Sequence, residues 1–137
     1  MSDLAPQHPA ADPRQRNILC IASGKGGVGK TFLSIALAQA LARQGKRVLL
    51  FDGDLGLANI DVQLGLMAER DLGGVIAGRL SLPDAITRYE VGGFDVIAGR
   101  SGSGSLATLS RAQLDGLREG LKLLAARYDY LTLDLAL

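Results

Sequence analysis

Four short apolar runs punctuate the chain, and the first three run directly into glycine-rich loops. The first, Asn17 to Ser23 (NILCIAS), lacks polar alternation, the pattern of a parallel strand covered on both faces, and it predicts a central strand. Lys46 to Asp52 (KRVLLFD), Gly93 to Ala98 (GFDVIA) and Tyr128 to Leu135 (YDYLTLDL) predict three more. Lys30 to Arg43 carries apolar residues all round a good helix-forming sequence and stops at Gly45, which predicts a buried helix. Ser110 and Gln113 have capping-box spacing, and Leu114, Leu117, Leu121 and Leu124 recur on one face of a helix that runs to Arg127. Gly116 and Gly120 on that helix predict close packing against a strand. Leu72 to Ala77 and Pro83 to Thr87 predict two short helices, the second with Ser81 and Asp84 at cap spacing. Strands alternating with helices imply βαβ units, hence an α/β fold with a parallel sheet flanked by helices.

Residues 1–16 show no such period. Three of the four prolines, Pro6, Pro9 and Pro13, fall there among small and polar residues, so the segment is expected to be a flexible arm ahead of a domain beginning at residue 17. Lysine and arginine total 15 and aspartate and glutamate 14, a net charge of +1, which disfavours a DNA-coating role. The single cysteine, Cys20, excludes an intramolecular disulfide or a four-cysteine metal site and fits a cytoplasmic location. No apolar stretch approaches the roughly 20 residues that span a bilayer. Cys20 in its apolar run and His8 in the arm are assigned no chemistry.

Glycine is the one compositional excess, 18 of 137 residues, and its clustering matters more than its number. Residues 24–31 read GKGGVGKT, which satisfies G-x-x-x-x-G-K-[ST] between a predicted strand and a predicted helix. Gly24, Gly26, Gly27 and Gly29 let backbone N–H groups approach phosphate oxygens with no Cβ in the way, and Val28 completes the loop. The helix start contributes unpaired N–H groups and partial positive charge. By the mechanics of this motif the Lys30 ammonium reaches the β and γ phosphates and the Thr31 hydroxyl ligates Mg²⁺, so ATP and Mg²⁺ are the expected ligands. Lys25 is a further cation inside the loop.

Carboxylates stand where such a site needs them. Asp52 and Asp54 flank Gly53 at the end of the second predicted strand, beside the crevice that parallel sheets form at their carboxyl ends. Asp134 ends the run YLTLD, the place of a Walker-B aspartate, so Thr31 and Asp134 are expected to bracket one Mg²⁺. Asp61 and Asp71 read as helix-cap or loop residues.

GKGGVGKT with its extra Lys25, followed by FDGDLGLANIDVQLGL, resembles the deviant Walker-A ATPases of the MinD and ParA group, a P-loop NTPase fold of Rossmann-like architecture. Within that group DGDLGLANID, LGGVIAGRLSLPDAI, GRSGSGSL and YDYLTLD are most similar to the flagellar-number regulators, the FlhG or FleN branch, with the MinD branch next. The resemblance covers residues 17–135 and implies an ATP-hydrolysing switch, monomeric with ADP and a sandwich homodimer with ATP. It implies that Lys25 reaches across to the partner's phosphates, that Asp54 orients the attacking water, that Asp52 lies close to the metal and that Asn59 belongs to the first switch segment. A flagellar GTPase or regulator is the implied partner.

Relatives continue past the Walker-B aspartate with a Gly-containing second switch, whereas Leu135, Ala136 and Leu137 are all that follow Asp134. The sequence is therefore expected to represent the N-terminal half of such a domain, truncated after the Walker-B strand. The adenine segment and the membrane-touching helix of the family lie in the other half, so membrane contact is not expected of these residues. The alternative is a non-catalytic interaction fragment. Within the group, division-site positioning is a nearby reading, while DNA partition is disfavoured by the near-neutral charge and by GLANID in the first switch. Iron–sulfur carriage is disfavoured because no cysteine stands near the third strand.

Overall fold

The computed structural model describes residues 17–23, 28–53, 60–67, 69–99 and 109–136. A five-stranded sheet forms the centre, with β1 (Ile18–Ser23), β2 (Val48–Asp52), β3 (Ile86–Tyr89), β4 (Phe94–Ile97) and β5 (Tyr130–Ala136) in the order β1-β5-β2-β4-β3. All neighbouring pairs are parallel except β3 with β4. The helices are α1 (Val28–Arg43), α2 (Ile60–Leu64), α3 (Leu72–Ile76) and α4 (Arg111–Ala125).

The period-2 alternation of a strand sends successive side chains into different cores. On one face Val48, Leu50, Phe94 and Val96 pack with Ala38 of α1 and Ile60 of α2. On the other Leu49, Phe51, Ile97 and Leu131 pack with Leu72 of α3 and with Leu124 and Ala125 of α4. Every residue of β2 is buried, which is why its sequence shows no alternation.

Local chemistry fixes the helix ends. Gly45, at φ +83°, closes α1: its N–H donates to the Ala42 carbonyl, and that of Lys46 donates to the Leu41 carbonyl. Ser110 caps α4 as its spacing predicts, its Oγ accepting from Gln113 N at 3.1 Å while Gln113 Oε1 accepts from Ser110 N at 2.9 Å. Asp71 caps α3 by accepting from Gly74 N at 3.2 Å.

The sheet corrects several expectations. Pro83–Ala85 is a single 3-10 turn, and the chain then enters β3 rather than continuing a helix to Thr87. β3 returns as a hairpin onto β4, so the sheet is mixed at that edge. Ile60–Leu64, for which the sequence predicts no element, forms the one-turn α2. β1 is not central among the described residues: it pairs only with β5, and Cys20 is exposed. α1 is buried on one side alone, with Phe32 68% and Leu33 55% exposed. On α4, a Cβ at Gly120 would meet the Leu82 side chain at 3.1 Å, so the close approach is to the 3-10 turn and not to a strand, while Gly116 has nothing within 4 Å. No helix of the described residues is long and apolar enough to cross a membrane.

Candidate functional site

The carboxyl ends of β2 and β5 carry the site. Asp52 has the same parity as Val48 and Leu50, and Asp134 the same parity as Tyr130, so both carboxylates rise on the α1 face. The parallel register sets Asp52 opposite Asp134, and each is 1% exposed. Gly53 N donates to the Asp134 carbonyl at 2.8 Å, which ties the two strand ends together just beyond the pair.

Above them lies the first turn of α1, whose N–H groups have no partner within the helix and which contains no acidic residue. Lys30 and Thr31 in that turn are buried. Lys30 Nζ is 2.6 Å from Asp134 Oδ1 and donates to the Leu135 carbonyl at 2.8 Å. Apart from this ammonium, Asp134 Oδ1 has no hydrogen-bond partner among the described residues. Asp52 is anchored differently: its Oδ2 accepts from Ile60 N at 3.2 Å, so the carboxylate that ends β2 also holds the start of α2.

Of the residues singled out in the sequence, Lys30, Thr31, Asp52 and Asp134 are brought to one end of the sheet. Val28 and Gly29 open α1, with nothing among the described residues within 4 Å of a Cβ built at Gly29. Gly24, Lys25, Gly26, Gly27, Asp54 and Asn59 lie outside the described residues. Three contributors were not foreseen: the Leu135 carbonyl, Ile60 N and the close approach at Gly53. Only the last left a signal, a glycine between two aspartates.

The donor set fits magnesium. It consists of hard oxygens, a carboxylate pair and the Thr31 hydroxyl, and one buried carboxylate oxygen has no partner among the described residues but the Lys30 ammonium. Among the described residues no group of three or more His, Cys, Asp or Glu could hold a metal ion.

Residues 19–133 match the CobQ/CobB/MinD/ParA nucleotide binding domain. The chain belongs to this family. The antiactivator FleN of Pseudomonas aeruginosa is 40% identical over 136 residues, 99% of this chain and 46% of that protein. The flagellum site-determining protein YlxH of Helicobacter pylori is 37% identical over 85% of this chain and 39% of its own length. Among solved structures, the septum site-determining protein MinD of Pyrococcus horikoshii, complexed with Mg-ADP, superposes with a TM-score of 0.70 at 32% identity, covering 86% of this chain and 48% of that one. The chain thus spans less than half the length of these relatives. The MinD-type P-loop fold expected from the phosphate loop is the fold found, with β3 as its antiparallel edge.

Proposed function

We propose that the chain is the nucleotide-binding half of a Mg²⁺-dependent ATPase switch that regulates flagellar number or placement. The observation that carries this reading is the convergence of Lys30, Thr31, Asp52 and Asp134 at the amino end of a 16-residue helix, in a chain of this family. The flagellar part is supported by FleN and YlxH standing among the similar proteins.

Residues 24–31 cradle the phosphates, Lys30 neutralises the β and γ oxygens, and Thr31 and Asp134 hold the metal with Asp52 beside it. An ion held by these residues would supply neutralisation of the charge that develops during phosphoryl transfer. Asp54 orients a water whose oxygen attacks the γ phosphorus as the bond to the bridging oxygen breaks, giving ADP and phosphate. Lys25 completes the site of a second copy in an ATP-bound homodimer, and a flagellar GTPase or regulator reads that dimer in the cytoplasm.

Calorimetric titration of the 137-residue chain with Mg·ATP tests the reading, with GTP as competitor and Lys30→Ala as control. Saturable binding that prefers ATP and is lost in Lys30→Ala is expected. Equal binding by Lys30→Ala would remove the phosphate-loop assignment.

A further inference from the structure

Lys30 does not extend from its helix into open space. Its ammonium is buried, its side chain 5% exposed, and it rests between Asp134 Oδ1 at 2.6 Å and the Leu135 carbonyl at 2.8 Å. Both groups belong to the last residues of β5, so the position of that strand end decides where the ammonium rests. β1 pairs with the strand end through Ser23 and Ala136 on one side, and Gly53 braces it from the β2 side. Its N–H donates to the Asp134 carbonyl at 2.8 Å, and a Cβ built on it would meet Leu135 Cδ2 at 2.6 Å, the Asp134 carbonyl at 3.1 Å and Phe51 Cε1 at 3.2 Å. A side chain at residue 53 would displace the Leu135 side chain and press on the Asp134 carbonyl and the Phe51 ring, just where the β2–β5 pairing ends.

We infer that Gly53 and Leu135 are positioning residues: together they build a parking place for the Lys30 ammonium, from which the lysine is drawn off when phosphate arrives. The inference rests on the nucleotide reading above and deepens it. A phosphate chain alone competes with Asp134 for the ammonium, and only the fraction of molecules with Lys30 released binds it well. A magnesium ion that engages Asp134 removes that competition. The same carboxylate therefore holds Lys30 back before binding and serves the metal afterwards, which makes the nucleotide affinity steeply dependent on Mg²⁺.

The parked state is read without nucleotide by NMR of ¹⁵N-lysine-labelled chain. A buried, paired ammonium exchanges its protons slowly, so one lysine side-chain correlation is expected in the parent and none in Lys30→Ala. Asp134→Asn and Gly53→Ala should lose it while keeping a dispersed amide spectrum. Leu135→Ala opens the gap from the other side and should speed proton exchange, and Gly53→Ala/Leu135→Ala, where the small side chain replaces the large one, should bring the signal back. A Lys30 correlation that is missing from the parent, or unchanged in both Gly53→Ala and Leu135→Ala, overturns the inference.

Release is read by calorimetry with ADP in EDTA. Asp134→Asn and Gly53→Ala should bind Mg-free ADP about threefold or more tighter than the parent. A merely structural defect would weaken binding instead, and unchanged or weaker binding overturns the drawing-off step. A parent that shows the parked signal yet binds no nucleotide with or without Mg²⁺ overturns the nucleotide reading and leaves the parking place standing.

Discussion

Asp52 and Asp134 are register partners on the adjacent parallel strands β2 and β5, both buried and both on the α1 face. A slip of one residue in either strand would turn its carboxylate into the apolar core beneath α4. The register is held by Leu49, Leu50 and Phe51 facing Leu131, Thr132 and Leu133, so the core on both faces keeps the two acids together.

Asp52 has a second duty that separates charge from hydrogen bonding. Asp52→Ala leaves buried Ile60 N without this acceptor and should cost about 1–3 kcal/mol in urea unfolding, with faster hydrogen exchange in α2. Asp52→Asn keeps an acceptor oxygen and should cost less. Equal losses for the two would show that the Ile60 contact is unimportant.

The buried pair of Lys30 with Asp134 sets stability against function. Lys30→Ala strands the carboxylate and should destabilise the chain by about 3–5 kcal/mol, while Lys30→Met/Asp134→Leu should lie within about 2 kcal/mol of the parent or above it. Mg·ATP binding is expected to be absent in both. Denaturant midpoints and calorimetry on the same samples check this.

Two end signals can be removed singly. Ser110→Ala deletes the capping oxygen that accepts from Gln113 N and should cost about 1 kcal/mol. Gly45→Ala places a side chain at φ +83° and should cost about 1 kcal/mol. Chemical denaturation with an unchanged m-value is the expected signature of each.

Tyr128 titrates abnormally. Burial, then its hydrogen bond to Asp95 Oδ2 at 2.6 Å, then the charge of Asp95, push its phenol far above the ordinary value near 10. The neutral phenol is the form favoured by the fold, so its contribution is complete below about pH 10 and is lost as the pH rises through the raised folded value. Absorbance titration of tyrosinate should show one of the three tyrosines ionising last, in step with alkaline unfolding. Tyr128→Phe should remove that phase and cost about 1–2 kcal/mol at neutral pH.

How much was legible follows the range of the interactions. The capping box at Ser110, the stop at Gly45 and the buried strand VLLFD rest on near neighbours or on a run of one character, and each appears where the sequence puts it. β3 was not legible. ITRY is four residues long, follows the 3-10 turn at Pro83, and becomes a strand only by pairing with β4. The exposure of Phe32 and Leu33 and the place of β1 at the end of the strand order among the described residues depend on what lies beside them, about which an apolar run says nothing.

The same division runs through the site. By itself the sequence determined that a phosphate-loop motif follows an apolar strand and that aspartates end two others, because GKGGVGKT, VLLFD and YLTLD are local patterns. Tertiary structure alone decided that Asp52 stands beside Asp134, that Gly53 lies against the Leu135 side chain, and that Lys30 rests on the end of β5. Those contacts join residues as far as 105 positions apart, and only the register of a sheet packed on both faces brings them within a hydrogen bond of one another.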